Sequence, residues 1–212
     1  MAADDGSSGT ATSPFQQVVE AAESVARILS VSITALKEAD AFVRHDFPAT
    51  PDVDRMIVAA MSSNYEEVRL VASEVIGQHA LAPVARTAER ALENATGIAA
   101  SAREARSGTV PGALRELASA KEGAEDLATN CDTYLRFIET VKFHLYNAEG
   151  RHQRRSAEDG AESSDSGSRL RLRSLLALEQ AGRHGQGLPD EVTHVTRAVS
   201  AAMSAVKETQ AT

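Results

Sequence analysis

Small and aliphatic residues recur at a seven-residue spacing in several separate segments of this chain. In the first, Phe15, Val18, Ala22, Val25, Leu29, Ser32, Leu36, Ala39 and Val43 alternate steps of three and four without a break. That spacing lines one side of a helix with a narrow apolar stripe, the seam that one helix shows to another. A strand needs alternation at period two, and runs of β-branched and aromatic residues that support one are missing. The spacing therefore predicts an all-α fold: an elongated helical bundle or coiled coil of about four long helices plus two short C-terminal helices.

What fills the seams narrows the picture. The chain has 212 residues and is 42% hydrophobic, but much of that is alanine; aromatics are 4% and tryptophan is absent. A compact enzyme of this size buries large rings around a cleft. Here the buried surfaces are thin layers of Ala, Val and Leu. A net charge of −8 disfavours non-specific binding to DNA or anionic membranes. The single cysteine, Cys131, excludes an intrachain disulfide and a cysteine-built zinc site, and suits a reducing compartment. No stretch approaches the length of a membrane-spanning helix. The first residues are acidic and polar, unlike a secretory or transit peptide. Cytoplasm or nucleus is the expected location.

Along the chain, residues 1–13 read as a disordered tail and 14–156 as the helical bundle or coiled-coil region. Ser13-Pro14 opens the first helix, with Ser as cap and Pro at the first helical position. Asp46-Phe47-Pro48-Ala49-Thr50-Pro51 stops it. A second helix runs from Pro51-Asp52 to about Ile76, with Ile57, Met61, Asn64, Val68, Val71 and Val75 on its seam. Gly77 to Pro83 reads as an interruption. Leu81, Val84, Ala88, Ala91, Ala95, Ile98, Ala102 and Ala105 form a third seam whose alanines let a neighbouring backbone come close. After a turn at Gly108–Gly112, the longest helix, 112–156, points Leu114, Leu117, Ala124, Leu127, Cys131, Tyr134, Leu135, Ile138, Val141 and Leu145 inward. Its aromatic cluster, Tyr134, Phe137, Phe143 and Tyr146, reads first as core packing and second as a docking face. Residues 157–168 read as an acidic disordered linker, and 169–212 as short C-terminal helices that either fold back or await a partner.

The side chains that carry chemistry give little. Glu149…His152 and Glu191…His194 have the spacing of a di-iron or di-manganese bundle site, which also needs two more carboxylates. His152 stands among Arg151, Arg154 and Arg155, a poor place for a cation. Gly182, Gly185 and Gly187 lack the strand and Lys-Ser/Thr of a phosphate loop. Cys131 sits at an inward helical position, where a structural thiol is expected. No catalytic residue, cofactor or metal is expected. Ser156, after Arg154-Arg155, and Ser164 and Ser166, among acids, are candidate phosphorylation sites; a phosphate there adds about −1.5 to −2 charges.

One family resemblance attaches to the order of segments. Ser32-Ile33-Thr34-Ala35-Leu36, Asp46-Phe47-Pro48, Tyr65-Glu66-Glu67-Val68 and Pro83 through Glu93 follow one another within residues 25–95. This stretch resembles a small coiled-coil subunit of the fungal DASH complex, although two gaps differ by about a turn of helix. The resemblance implies a non-enzymatic subunit of a ring that couples kinetochores to spindle microtubules. The seams themselves predict a structural subunit of a hetero-oligomeric coiled-coil complex. Its expected partner-facing residues are Val25, Leu29, Leu36, Val68, Val71, Leu135, Ile138 and Leu145. The partners expected are other helical proteins, and microtubules through the complex, with no direct nucleic acid and no membrane span. The alternative is a self-sufficient bundle, either an adaptor or a di-metal carboxylate enzyme.

Overall fold

The computed structural model describes residues 12–46, 65–159 and 165–211, with side chains over 12–38, 40, 81–143, 146 and 175–211. The described residues form five helices and no strand: α1 (Pro14–Asp46), α2 (Tyr65–Ser107), α3 (Val110–Asp159), α4 (Asp165–Gly185) and α5 (Leu188–Ala211). Helix α1 starts where Ser13-Pro14 places it, and the Gln17 amide donates to the Ser13 carbonyl at 3.0 Å, the first turn of the helix. Gly108 and Thr109 form the turn between α2 and α3, and the Ala113 amide donates to the Thr109 carbonyl at 2.7 Å.

Helix α2 packs on α1 and α3, and α4 and α5 each pack on both α1 and α3. So α1 and α3 stand at opposite corners, and α2 stands opposite a fourth column made of α4 and α5 in succession. Neighbours run antiparallel. Lys37 pairs with Glu89 at 2.7 Å, and Glu23, two heptads earlier, pairs with Arg103. Between α2 and α3, the Asn130 Nδ2 donates to Asn94 Oδ1 at 2.8 Å, while Gly123 sits against Ile98. Between α3 and α4, Tyr146 bonds Glu179 and Gly185 meets Leu135. This is an up-down-up-down arrangement. At 1.5 Å per residue, the 50 residues of α3 extend about 75 Å.

The buried positions show why. On α3, Ala113, Leu117, Ala120, Ala124, Leu127, Cys131, Tyr134, Ile138 and Val141 are buried at strict steps of four and three. All eight seam residues expected from Leu81 to Ala105 are buried on α2. Helix α1 buries Val19, Ala21, Ile33 and Ala35 beside its seam, because it touches α2 on one side and the fourth column on the other.

Four expectations change. The interruption at Gly77–Pro83 is absent: α2 runs through it with Pro83 inside. An internal proline costs about 3 kcal/mol. Here Leu81 and Val84 flank it fully buried, and Thr87 Oγ1 donates to the Pro83 carbonyl at 3.0 Å. Burial of each such aliphatic side chain contributes about 1.5–3 kcal/mol, enough to carry the helix across. The glycine-rich stretch at Gly182–Gly187 is helical as far as Gly185, and only Gln186-Gly187 forms a turn. Phe137, Phe143 and Tyr146 are exposed rather than in the core; they fall off the stripe through Tyr134, Ile138 and Val141. Finally, α3 ends at Asp159 and α4 begins at Asp165, so helix enters the expected acidic linker from both sides. Residues 1–11 of the expected 1–13 tail, the stop at 47–51, the start at Pro51-Asp52 and residues 160–164 lie outside the described residues.

Candidate interaction surface

The expected partner-facing residues divide into three groups. Val25, Leu29, Leu36 and Ile138 are buried beneath the chain's own helices. Leu135 is half-buried at the α3–α4 boundary. Val68, Val71 and Leu145 lie on helices at positions whose side chains are outside the described residues, as do Ser156 near the end of α3 and Ser166 in the first turn of α4; Ser164 is outside altogether. The seam residues on α1 thus meet helices of the same chain, and a surface for another protein must be sought elsewhere.

Two features emerge, one inside and one outside. Inside, Tyr134 is the largest fully buried side chain among the described residues, and Ser32 reaches it from the opposite corner. Both hydroxyls are sealed from solvent, and they stand near enough for Ser32 to offset part of the effect of burial on Tyr134, although the pair falls short of full hydrogen-bond geometry. Burial pushes the Tyr134 phenol up to about 12, and it pushes the neighbouring Cys131 thiol up to about 12 as well. The layer is therefore neutral at physiological pH, and Cys131 is not a thiolate there.

Outside, at the same level, a groove of about 490 Å³ opens between α3 and the α4–α5 joint. It is lined by Leu135, Ile138, Glu139 and Lys142 on α3, by Glu179, Gly182, Arg183 and Gly185 on α4, and by Gln186 and Pro189 at the joint. The charges are paired along each edge: Lys142 with Glu139 at 3.1 Å and Arg183 with Glu179 at 3.8 Å. The Tyr146 hydroxyl on α3 donates to Glu179 on α4, which holds its proton and raises its pKa above the ordinary phenol value. Phe143 on α3, 64% exposed, and Leu176 on α4, 55% exposed, are not part of its lining. Phe137 and Val31 are exposed on other faces of α3 and α1. Sequence periodicity missed the groove because it forms between residues of different helices, and periodicity reads one helix at a time. The glycines at Gly182 and Gly185, read in the sequence only as a flexible stretch, are the one local sign of it.

Of the two Glu-x-x-His steps, His194 is exposed and Glu191 half-buried on α5, while Glu149 and His152 lie where side chains are not described. Among the described residues, no three His, Cys, Asp or Glu side chains are grouped to hold a metal ion. Among the described residues, too, no helix is long and apolar enough to cross a membrane. Comparison with protein-family models, with curated proteins and with solved structures gives no match.

Proposed function

We propose that this chain is a non-enzymatic interaction protein, a structural subunit of a hetero-oligomeric helical assembly to which it brings a bundle that is already folded. One observation carries the reading. The bundle closes its own core, yet five large apolar side chains, Val31, Phe137, Phe143, Tyr146 and Leu176, stay exposed. Among the described residues these stand on more than one face: Phe143, Tyr146 and Leu176 fall within a turn of the Tyr146–Glu179 bond, and Phe137 and Val31 offer contact points elsewhere on the body. The work assigned to the chain is mechanical: a long, stiff body with contact points on its outside. The resemblance of residues 25–95 to a DASH subunit supplies the one specific assembly, kinetochore–microtubule attachment, in cytoplasm or nucleus. Half of its motifs, from Asp46-Phe47-Pro48 through Tyr65–Val68, rest on positions outside the described residues or side chains.

The test has two parts. Expressed alone, the chain should melt cooperatively, because its seams are filled from within; an aggregate would favour an obligate subunit whose seams other chains complete. Purified from its native cells after brief lysine crosslinking, it should bring a helical protein in fixed stoichiometry, and Phe137→Glu should release it. A native preparation that holds this chain by itself would defeat the assembly reading.

A further inference from the structure

We propose that Thr109, in the turn between α2 and α3, is a phosphorylation site for a protein kinase that reads an arginine three residues before its target. The proposal needs neither the assembly reading nor the groove, and it stands or falls separately from both.

Sequence and structure each do half of the selection. An arginine stands three residues before a hydroxyl at four places in the chain: Arg27 and Ser30, Arg106 and Thr109, Arg171 and Ser174, Arg197 and Ser200. A guanidinium at that distance suits a kinase, because carboxylates can hold its planar fork at two points. A kinase must also draw the residues around the hydroxyl into an extended strand across its active site. Ser30 lies inside α1, Ser174 inside α4 and Ser200 inside α5. Each has a core residue as its neighbour, Leu29, Leu175 and Val199, so extending the backbone there would pull that residue out of the bundle. The Ser200 hydroxyl is further engaged, donating to the Thr196 carbonyl at 2.9 Å. Thr109 is the one of the four that lies outside a helix. Arg106, Ser107, Gly108, Thr109 and Pro111 are all exposed. To present this segment, only the last turn of α2 has to loosen, and helix ends fray readily.

The surroundings accept the charge. From Arg103 to Glu116 the chain carries three arginines and two glutamates, so this end is locally positive within a chain of −8. Arg103 is tied to Glu23, and Arg115 to Glu116 at 3.0 Å. Arg106 is the cation nearest in sequence to the hydroxyl. Thr109 directly precedes α3, and its Oγ1 hangs over the first turn: a Cβ at Gly112 would stand 3.3 Å from it. A side chain at 112 would crowd that oxygen, and glycine leaves the room a phosphate takes. Amides of a first helical turn have no carbonyl of their own helix to bond, and they favour an anion. A phosphate here, about −1.5 to −2 charges, therefore caps α3 rather than melting it.

The step itself is ordinary phosphoryl transfer from ATP. The Thr109 oxygen bonds the γ-phosphorus, the bond from that phosphorus to the bridging oxygen breaks, ADP leaves, and the hydroxyl proton passes to the kinase's base.

The experiment treats the folded full chain with ATP, magnesium and the catalytic subunit of an arginine-directed serine/threonine kinase, and maps phosphate by mass spectrometry. Phosphate should enter at Thr109 ahead of Ser30, Ser174 and Ser200. Arg106→Ala should slow its entry about tenfold or more, the loss of one charge-assisted contact. Arg103→Ala, six residues before the target, should leave the rate as it is. Both arginines are exposed, so circular dichroism should show the native helical signal in each variant; Arg106→Gln replaces Arg106→Ala if that signal falls. The phosphorylated chain should melt about 1–4 °C above the unmodified one. No phosphate at Thr109, phosphate preferring any of the other three hydroxyls, or entry indifferent to loss of Arg106 would overturn the assignment. A phosphorylated chain that melts lower would overturn the capping role. Peptide mapping of the chain from its native cells should find the same phosphothreonine, and a native chain that lacks it would overturn the assignment equally.

Discussion

Replacing Leu29 with aspartate, and Lys37 with aspartate as its control, tests the packing scheme at its most exposed assumption. The two positions are eight residues apart on the same helix, but Leu29 has no exposed surface and Lys37 keeps 62% of its side chain in water. Truncation of a buried leucine to alanine costs about 2–5 kcal/mol, set by how far the surroundings collapse. Aspartate adds the desolvation of a carboxylate with no partner, several kcal/mol more, or forces it to take up a proton. Set against a total stability of about 5–15 kcal/mol, Leu29→Asp should leave little or no folded chain. Lys37→Asp loses one exposed ion pair with Glu89, worth about 0–1 kcal/mol, and adds a mild like-charge repulsion. Leu29→Ala supplies a graded intermediate, since a chain of this size loses about 2–4 °C of melting temperature per kcal/mol. Urea denaturation of the three variants, followed by circular dichroism, should rank them Lys37→Asp, Leu29→Ala, Leu29→Asp in order of increasing damage. Equal damage from the two aspartates would refute the seam, because it would mean that Leu29 is no more enclosed than Lys37.

Stability should decline above pH 9. Cys131 and Tyr134 have ordinary values of 9.0 and 10.0 that burial lifts to about 12, so the unfolded chain releases these protons first. Their contribution is whole below pH 9 and is lost as pH rises toward 12, at about 1.4 kcal/mol per unit of difference; urea midpoints across that range should fall less steeply for Cys131→Ala. Gly97 has open space around its Cα, so Gly97→Ala should raise stability in urea by up to about 1 kcal/mol through helix propensity. At Gly123 a Cβ would already stand 3.1 Å from Ile98 Cγ1, and Gly123→Leu should lower stability by about 1–3 kcal/mol. A double-mutant cycle on Asn94 and Asn130 should return a coupling of about 0.5–1.5 kcal/mol, the net worth of a hydrogen bond. Elemental analysis of protein purified without chelator should find no stoichiometric iron or manganese, and two equivalents per chain would revive the di-metal reading.

Periodicity alone marks most of the core. The stripe from Leu81 to Ala105 and the one through Leu127, Cys131, Tyr134 and Ile138 are buried as spaced. Spacing falls short wherever a residue's surroundings come from another helix. A seam of one helix on one neighbour predicts two positions per heptad, but α1 occupies a corner with neighbours on two sides, so Val19, Ile33 and Ala35 are buried as well. Local breaker rules place a gap at Gly77–Pro83, and burial of Leu81 and Val84 overrides them. The Asn94–Asn130 pair and the contact of Gly123 with Ile98 join residues 36 and 25 positions apart, and no spacing within a single helix marks them.

The groove and the buried hydroxyl layer have a common cause, and it is one of volume. Alanines dominate the facing stripes of α2 and lower α3, so those helices can approach closely around Ala95, Ala99, Ala120 and Ala124. At Tyr134 the core must suddenly hold a ring. The fourth column meets that demand by stopping. Helix α4 ends at Gly185, whose Cβ, if present, would fall 2.8 Å from Leu135 Cδ2 and 3.8 Å from Tyr134 Cε1. The chain then turns through Gln186-Gly187 and resumes at Leu188, which is fully buried near the same point. A straight helix would have presented a side chain near each 5.4 Å turn of this level; the joint presents a glycine and a turn instead. The space left on the inner side takes the Tyr134 ring. The space left on the outer side is the groove over Leu135, Ile138, Gly182 and Pro189. A single large residue in a seam of small ones thus goes with a break in the fourth column, and the break leaves a recess on this face over Leu135 and Ile138.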